Sequence, residues 1–170
     1  DGMVLLYGDG AFARHVTPPG HPEQVARLAA VKAGVAGLGL TWRDCPVAAE
    51  GDILRGHSAG YLDRVRRAAP AQGWVQLDGD TWLSPGSVEA ALRAVGGAGA
   101  AVDAVLAGDA QKAFLAARPA GHHAERDRAM GFCLFGTVAL AAKRALDHHG
   151  LSRVAIVDFD AHHGNGTQDI

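Results

Sequence analysis

Cysteine is scarce in this chain, with Cys45 and Cys133 the only two among 170 residues. They lie far apart and form neither a disulfide framework nor a C-x-x-C metal knuckle, which predicts a reducing, intracellular setting. Long apolar runs are lacking too. The best stretch, Ala94 to Val102, is broken by glycines and closed by Asp103, too short for a membrane span. No charged-then-apolar leader with a small-residue cleavage site is read at its start. Nor is there an excess of one charge. A formal net charge of -2 and a pI near 6.5 leave no basic stripe, which sets aside nucleic-acid binding through phosphate contacts. Neither G-x-G-x-x-G after a strand nor G-x-x-x-x-G-K-[ST] occurs, so a plain nucleotide-binding domain has little support.

What is present is globular: 48% hydrophobic and 20% charged side chains, at a length ordinary for one domain. Met3 to Tyr7 is a short apolar run closed by Gly8-Asp9-Gly10, which predicts a buried strand and a turn. Val25, Leu28, Val31 and Val35 recur at helical spacing, with Pro22 suited to the preceding turn. Asp52–Leu54 and Tyr61–Ala69 read as two short helices around Gly56-His57-Ser58. Ser84-Pro85 predicts the cap of a helix that Gly96, Gly97 and Gly99 weaken by about 1 kcal/mol each. Lys112–Ala117 reads as a strand, Phe135–His149 as a helix stopped by Gly150, and Arg153–Asp158 as the clearest strand of all. Continuous apolar strands alternating with helices predict an α/β domain whose mostly parallel sheet is flanked by helices.

Histidine is in excess: nine residues, six of them in adjacent pairs. In open α/β sheets, ligand sites gather beyond the carboxyl ends of strands. Two pairs lie there. After Lys112–Ala117 comes Arg118-Pro-Ala-Gly-His-His-Ala124, and after Arg153–Asp158 comes Asp158-Phe-Asp-Ala-His-His-Gly-Asn-Gly-Thr-Gln168. On an extended backbone Asp158, Asp160 and His162 share one face. A carboxylate and an imidazole presented together make a half-site for a divalent metal such as zinc, whose catalytic form needs one more protein ligand and an open position. Placed in a loop, His122 and His123 can face one cavity as proton carriers, each needing a partner for its other ring nitrogen. Asp158 and Asn165 are of the right kind. His148-His149, in the last turn of a helix, reads as cationic or polar residues interacting with carbonyl dipoles. His15 and His57 carry no signal of their own.

The ordered set His21-Pro-Glu23, His57-Ser58, Leu83-Ser-Pro-Gly-Ser87, Gly121-His-His-Ala124, Gly131-Phe-Cys133 and Val157-Asp-Phe-Asp-Ala-His-His-Gly-Asn-Gly-Thr-Gln168 resembles the zinc-dependent histone deacetylase and acetylpolyamine amidohydrolase family. Asn165 and the Gly-Thr-Gln after it are similar to its class II and bacterial members. The resemblance implies hydrolysis of N-acetyl amides, on acetyl-lysine in proteins or on acetylated polyamines, with release of acetate. It implies one Zn2+ held by Asp160 and His162, with its water as nucleophile. His122 and His123 then act as general base and acid, oriented by Asp158 and Asn165. Asp158 would also join a monovalent cation site, K+ in kind, and Gly131 and Phe132 would line the tunnel that admits the acylated chain. The setting implied is cytoplasmic, with no nucleic acid or membrane as partner. Ala120, Gly136 and Gln24-Val-Ala-Arg27 depart from the family pattern, outside the metal and histidine positions.

Domains of that family run to about twice this length. Residues 1–170 are therefore expected to be the N-terminal part of a single deacetylase domain, the sheet incomplete at the C-terminal side. The third zinc ligand, an aspartate, and the oxyanion-stabilising tyrosine are not found before Asp158, so the chain alone is expected to be inactive. Two other readings compete. An arginase-like amidinohydrolase with two metals wants an aspartate where Gly164 stands. A non-catalytic module would use the tunnel only to recognise acyl-lysine, and the intact His122, His123, Asp160 and His162 set argues against it.

Overall fold

The computed structural model describes residues 3–170. Strand β1 (Val4–Tyr7) lies between β2 (Trp42–Arg43) and β5 (Lys112–Leu115), and all pairings are parallel. Leu6 faces Trp42 on one side and Phe114 on the other. Helices α1 (Ala26–Val35), α2 (Glu50–Ile53), α3 (Ala59–Ala68), α4 (Ser87–Leu106), α5 (Thr137–Asp147) and α6 (Asn165–Asp169) complete the order. A hairpin, β3 (Val75–Asp78) and β4 (Thr81–Leu83), joins α3 to α4. Its two-residue turn is Gly79-Asp80, between the paired Asp78 and Thr81.

Helix α4 divides the interior. Its Ala91 and Val95 pack with Ile53, Tyr61, Leu62, Leu83, Phe135 and Leu140. Its Ala90 and Ala94 pack with Leu5, Tyr7, Phe12, Leu28 and Cys45 beneath the sheet. The three glycines expected to weaken α4 leave it unbroken over 20 residues. The physical reason is close approach. A Cβ on Gly96 would stand 2.0 Å from the Pro46 carbonyl oxygen, and one on Gly97 2.5 Å from Cys45 Sγ. Their intrinsic helix penalty is offset by backbone packing that no larger residue allows.

Several boundaries differ from expectation. Ser84 does not cap α4. Its hydroxyl instead donates to the Arg14 carbonyl and accepts from the Val16 N–H, while Ser87, the first helical residue, returns its own hydroxyl to the Ser84 N–H at 2.7 Å. Phe135 is a core residue ahead of α5 rather than its first turn, and Gly150 follows with a left-handed φ of 70°. The largest correction concerns Arg153–Asp158, which pairs with no strand. A strand is stabilised by a ladder of N–H and C=O partners as much as by its own residues. No neighbouring strand among the described residues reaches this segment, and it leaves Val157 85% and Phe159 98% exposed.

Candidate active site

The loop after β5 is anchored from below. Arg118 and Glu23, only 4% and 1% exposed, meet in a two-pronged ion pair, Nε to Oε1 and Nη2 to Oε2 both at 2.6 Å. Arg118 Nη1 also donates to the carbonyls of Phe12 and His15 at 3.0 and 2.8 Å. Burial alone would push the Glu23 carboxyl up; hydrogen bonds from His15 and Arg118 outweigh it and bring it down to about 2. His15 Nδ1 meets the Ser87 hydroxyl at 2.6 Å, tying this network to the start of α4. His57, also buried, accepts from the Gly136 N–H at 2.9 Å, so its Nδ1–H faces the Arg126 carbonyl at 3.1 Å. Burial lowers its pKa. Sequence reasoning left His15 and His57 without a role. Their neighbours are distant in the chain and gave no local signal.

On this support stand His122 and His123, ring centroids 4.0 Å apart. Asp158 Oδ2 lies 2.8 Å from His122 Nδ1. The hydrogen bond with His122 and the Asp160 N–H hold the Asp158 carboxyl below its ordinary value, so it is ionised at neutral pH and accepts from the ring. His123 Nδ1 lies 2.6 Å from Asn165 Oδ1. Both rings thus turn Nδ1 toward an acceptor. His122 Nε2 lies 4.0 Å from Asp160 Oδ1.

Asp158, Asp160 and His162 are linked in sequence by turns, not by strand alternation, and of their side chains Asp160 and His162 meet. Asp158 Oδ1 accepts the Asp160 N–H at 3.1 Å, and Asp160 Oδ1 accepts the His162 N–H at 2.8 Å. Each carboxylate closes a turn onto the backbone two residues ahead, the habit of aspartate in loops. That N–H and the His162 ring hold the Asp160 carboxyl below its ordinary value. His162 Nδ1 lies 3.0 Å from Asp160 Oδ1. Zinc bonded to both at about 2.0–2.1 Å would want them only slightly further apart, so this pair fits two of its positions. Among the described residues, no group of three or more His, Cys, Asp or Glu side chains is gathered to hold a metal.

Gly131 presses on His123: a Cβ there would stand 2.3 Å from His123 Cδ2, and its φ of 56° is left-handed. Phe132 follows with φ 70°, a costly conformation for a bulky residue. It is held by the Thr81 hydroxyl on its N–H at 3.0 Å and by an edge contact with His21 at 4.8 Å. His149, read as a helix-end residue, also meets Asp103 of α4 at 2.7 Å, beside the Arg144–Asp103 pair. Sequence reasoning missed Glu125, whose carboxylate accepts from Asn165 Nδ2 at 2.8 Å.

The sequence matches the histone deacetylase domain family over residues 21–170. It is 44% identical over 160 residues to the histone deacetylase-like amidohydrolase of Pseudomonas aeruginosa, covering 94% of this chain and 41% of that protein. A probable deacetylase of Methanothermobacter thermautotrophicus is 37% identical over 154 residues, covering 89% of this chain and 45% of its own. The crystal structure of the HDA15 HD domain superposes with a TM-score of 0.90 at 30% identity, covering 97% of this chain and 50% of that one. The chain spans about half the length of these relatives. The match takes in every histidine and carboxylate just described around His122 and His123, on a shared arginase/deacetylase-like α/β fold, and the chain belongs to the histone deacetylase family.

Proposed function

We propose that these residues serve zinc-dependent hydrolysis of N-acetyl amides, acetyl-lysine or acetylated polyamines, releasing acetate and a free amine. One observation carries the reading: two adjacent imidazoles tilted at 46°, each with Nδ1 given to its own acceptor, stand beside a carboxylate–imidazole pair. Nδ1–H on both rings leaves both Nε2 atoms free to take or give a proton. In the step derived from them, one Nε2 removes a proton from water as its oxygen attacks the acyl carbon. The other ring, carrying a proton on both nitrogens at that stage, gives its Nε2 proton to the amide nitrogen as the C–N bond breaks, and the proton taken from water by the first ring replaces it. Asp158 orients His122, and Asn165 orients His123.

Asp160 and His162 would hold the zinc, which when bound polarises the acyl carbonyl and lowers the pKa of water to about 7. Asp158, with backbone oxygens around Asp160 and His162, would take a monovalent cation such as K+. Gly131 and Phe132 form the wall beside His123 against which the alkyl chain of the substrate would lie. An arginase-like reading is disfavoured at Gly164, which supplies no carboxylate where a second metal would want one and where a Cβ would push on Asp158 Oδ2 at 2.7 Å. Cys45 and Cys133, both buried free thiols pushed up to about 12 by burial, suit an intracellular, cytoplasmic setting.

The 170 residues alone are proposed to turn over at trace rates. Two protein donors hold zinc weakly, and a missing oxyanion donor costs roughly 3–4 kcal/mol of transition-state stabilisation. Replacing His123→Ala in the whole protein tests the assignment. Turnover should fall by about 10²-fold or more while zinc content stays constant. Unchanged turnover would remove His123 from the reaction.

A further inference from the structure

Asn165 is an ambiguous partner for a histidine. Its amide can offer either an acceptor or a donor, and each choice selects a different tautomer of the ring. Here the surroundings decide. The Asn165 Nδ2 position faces Glu125 Oε1 at 2.8 Å, Met130 Sδ at 3.3 Å and the His123 carbonyl at 3.4 Å. All three are acceptors. A turned amide would set its oxygen against a carboxylate, a thioether and a carbonyl, with no proton among them. Of the three, the carboxylate binds the amide hydrogens most strongly, because a charged acceptor roughly doubles a hydrogen bond.

Glu125 is itself held in place. Its N–H donates to the Arg128 carbonyl at 2.9 Å, closing a tight turn over 125–128. That turn is fastened to α3 and its cap: Arg64 donates to the Asp127 carbonyl at 2.9 Å, the Ser58 hydroxyl to the Asp127 carboxylate, and His57 to the Arg126 carbonyl. The Arg126 N–H reaches Asp169 Oδ2 at 2.8 Å, clamping the turn to α6, whose first residue is Asn165.

We propose that Glu125 is a positioning residue that sets the tautomer of His123 through Asn165. Its carboxylate fixes the amide nitrogen, the amide oxygen then takes the His123 Nδ1–H, and Nε2 is left as the reacting lone pair. His122 needs no such intermediary, since the Asp158 carboxylate can only accept. The inference rests on the proposed role of His123, but its first readout does not require turnover.

The test uses the whole protein with 15N-labelled histidines at a pH where His123 is neutral. Long-range 15N–1H correlation spectra report which ring nitrogen carries the proton, and His123→Gln assigns the signal. The unmodified protein should show only the Nδ1–H form. Glu125→Ala should give a mixture of tautomers and a kcat at least 10-fold lower, with KM within twofold. Glu125→Gln, whose amide oxygen can replace the carboxylate, should restore the single tautomer and most of kcat. Should Glu125→Ala not fold, Glu125→Met keeps the volume without the charge and carries the same expectation. A single Nδ1–H tautomer in Glu125→Ala or Glu125→Met overturns the proposal. Failure of the His123 role would show separately, as unchanged turnover in His123→Ala with the tautomer still dependent on Glu125.

Discussion

The two halves of the candidate site stand on different ground. His122 and His123 rise from a loop whose base is the buried Arg118–Glu23 pair, itself bonded to the carbonyls of Phe12 and His15. Asp160 and His162 sit on a stretch with no strand partner among the described residues, shaped by the turns that the Asp158 and Asp160 carboxylates close and tied to the loop by Asp158 on His122. The residues proposed to carry protons thus stand on a base fixed by burial and charge, and those proposed to bind metal are held by local hydrogen bonds at the surface. The histidine side should hold its geometry under perturbation, whereas the carboxylate side depends on what is packed around it.

The strongest way to break this contrast is Arg118→Ala. Glu23 would remain as a buried carboxylate with only His15 at 3.5 Å and Arg27 at 3.7 Å near it, and about 3–5 kcal/mol of stability should vanish in urea unfolding. A loss below about 1 kcal/mol would mean that the pair is not the anchor described. Acid provides the next test. Glu23 is held at about 2 against an ordinary 4.5, so its folded value lies below its unfolded one. The stabilisation is complete above the unfolded value and disappears as pH falls from about 4.5 through about 2, on the order of 3 kcal/mol in all. His57, lowered by burial from 6.5, is favoured neutral, so its contribution begins to fail earlier, as pH drops through 6.5. Unfolding midpoints measured against pH should therefore decline in two limbs. In Glu23→Gln the lower limb should flatten, and an unchanged slope there would contradict the assignment.

A smaller effect is expected where the two halves of the loop meet. Gly131→Ala puts a methyl into the His123 ring at a left-handed φ and should cost about 1–3 kcal/mol, together with a fall in kcat. Smallest of all is Phe159→Ser. With its side chain almost wholly in solvent, the change in stability of the 170-residue chain should stay within about 0.5 kcal/mol. Phe135→Ala, in the core, should lose about 3–5 kcal/mol by comparison. A loss of that larger size at Phe159 in a longer form of the protein would locate a packing partner on this segment.

Much of the fold was legible where one property of a short stretch decides the outcome. The apolar runs at β1 and β5 and the left-handed stop at Gly150 are of this kind. The Arg153–Asp158 segment was not, because a strand also requires a neighbour, and no property of Val154 or Ile156 supplies one. The hairpin at Gly79-Asp80 went unread although Val75-Gln76-Leu77-Asp78 alternates; its second strand, Thr81-Trp82-Leu83, is three residues long and does not alternate. The site shows the same divide. That His122 and His123 want partners such as Asp158 and Asn165 followed from the need of an imidazole for a second-nitrogen partner; which pairs with which was implied by the family resemblance. Glu125 was hidden because its effect passes through an amide, two contacts from the ring. The His15–Glu23–Arg118 network was hidden because burial reverses the usual habit of charged residues.

The glycine pressed against His123 has a further consequence. A ring whose Cδ2 edge rests on backbone, and whose Nδ1 is bonded to Asn165, cannot turn over about its Cβ–Cγ bond without displacing the loop. A proton taken up at Nε2 therefore has only one exit, the atom by which it entered. In the proposed reaction His123 would be a single-door carrier, not a revolving one, and any proton it gained would be handed on, or returned, through Nε2.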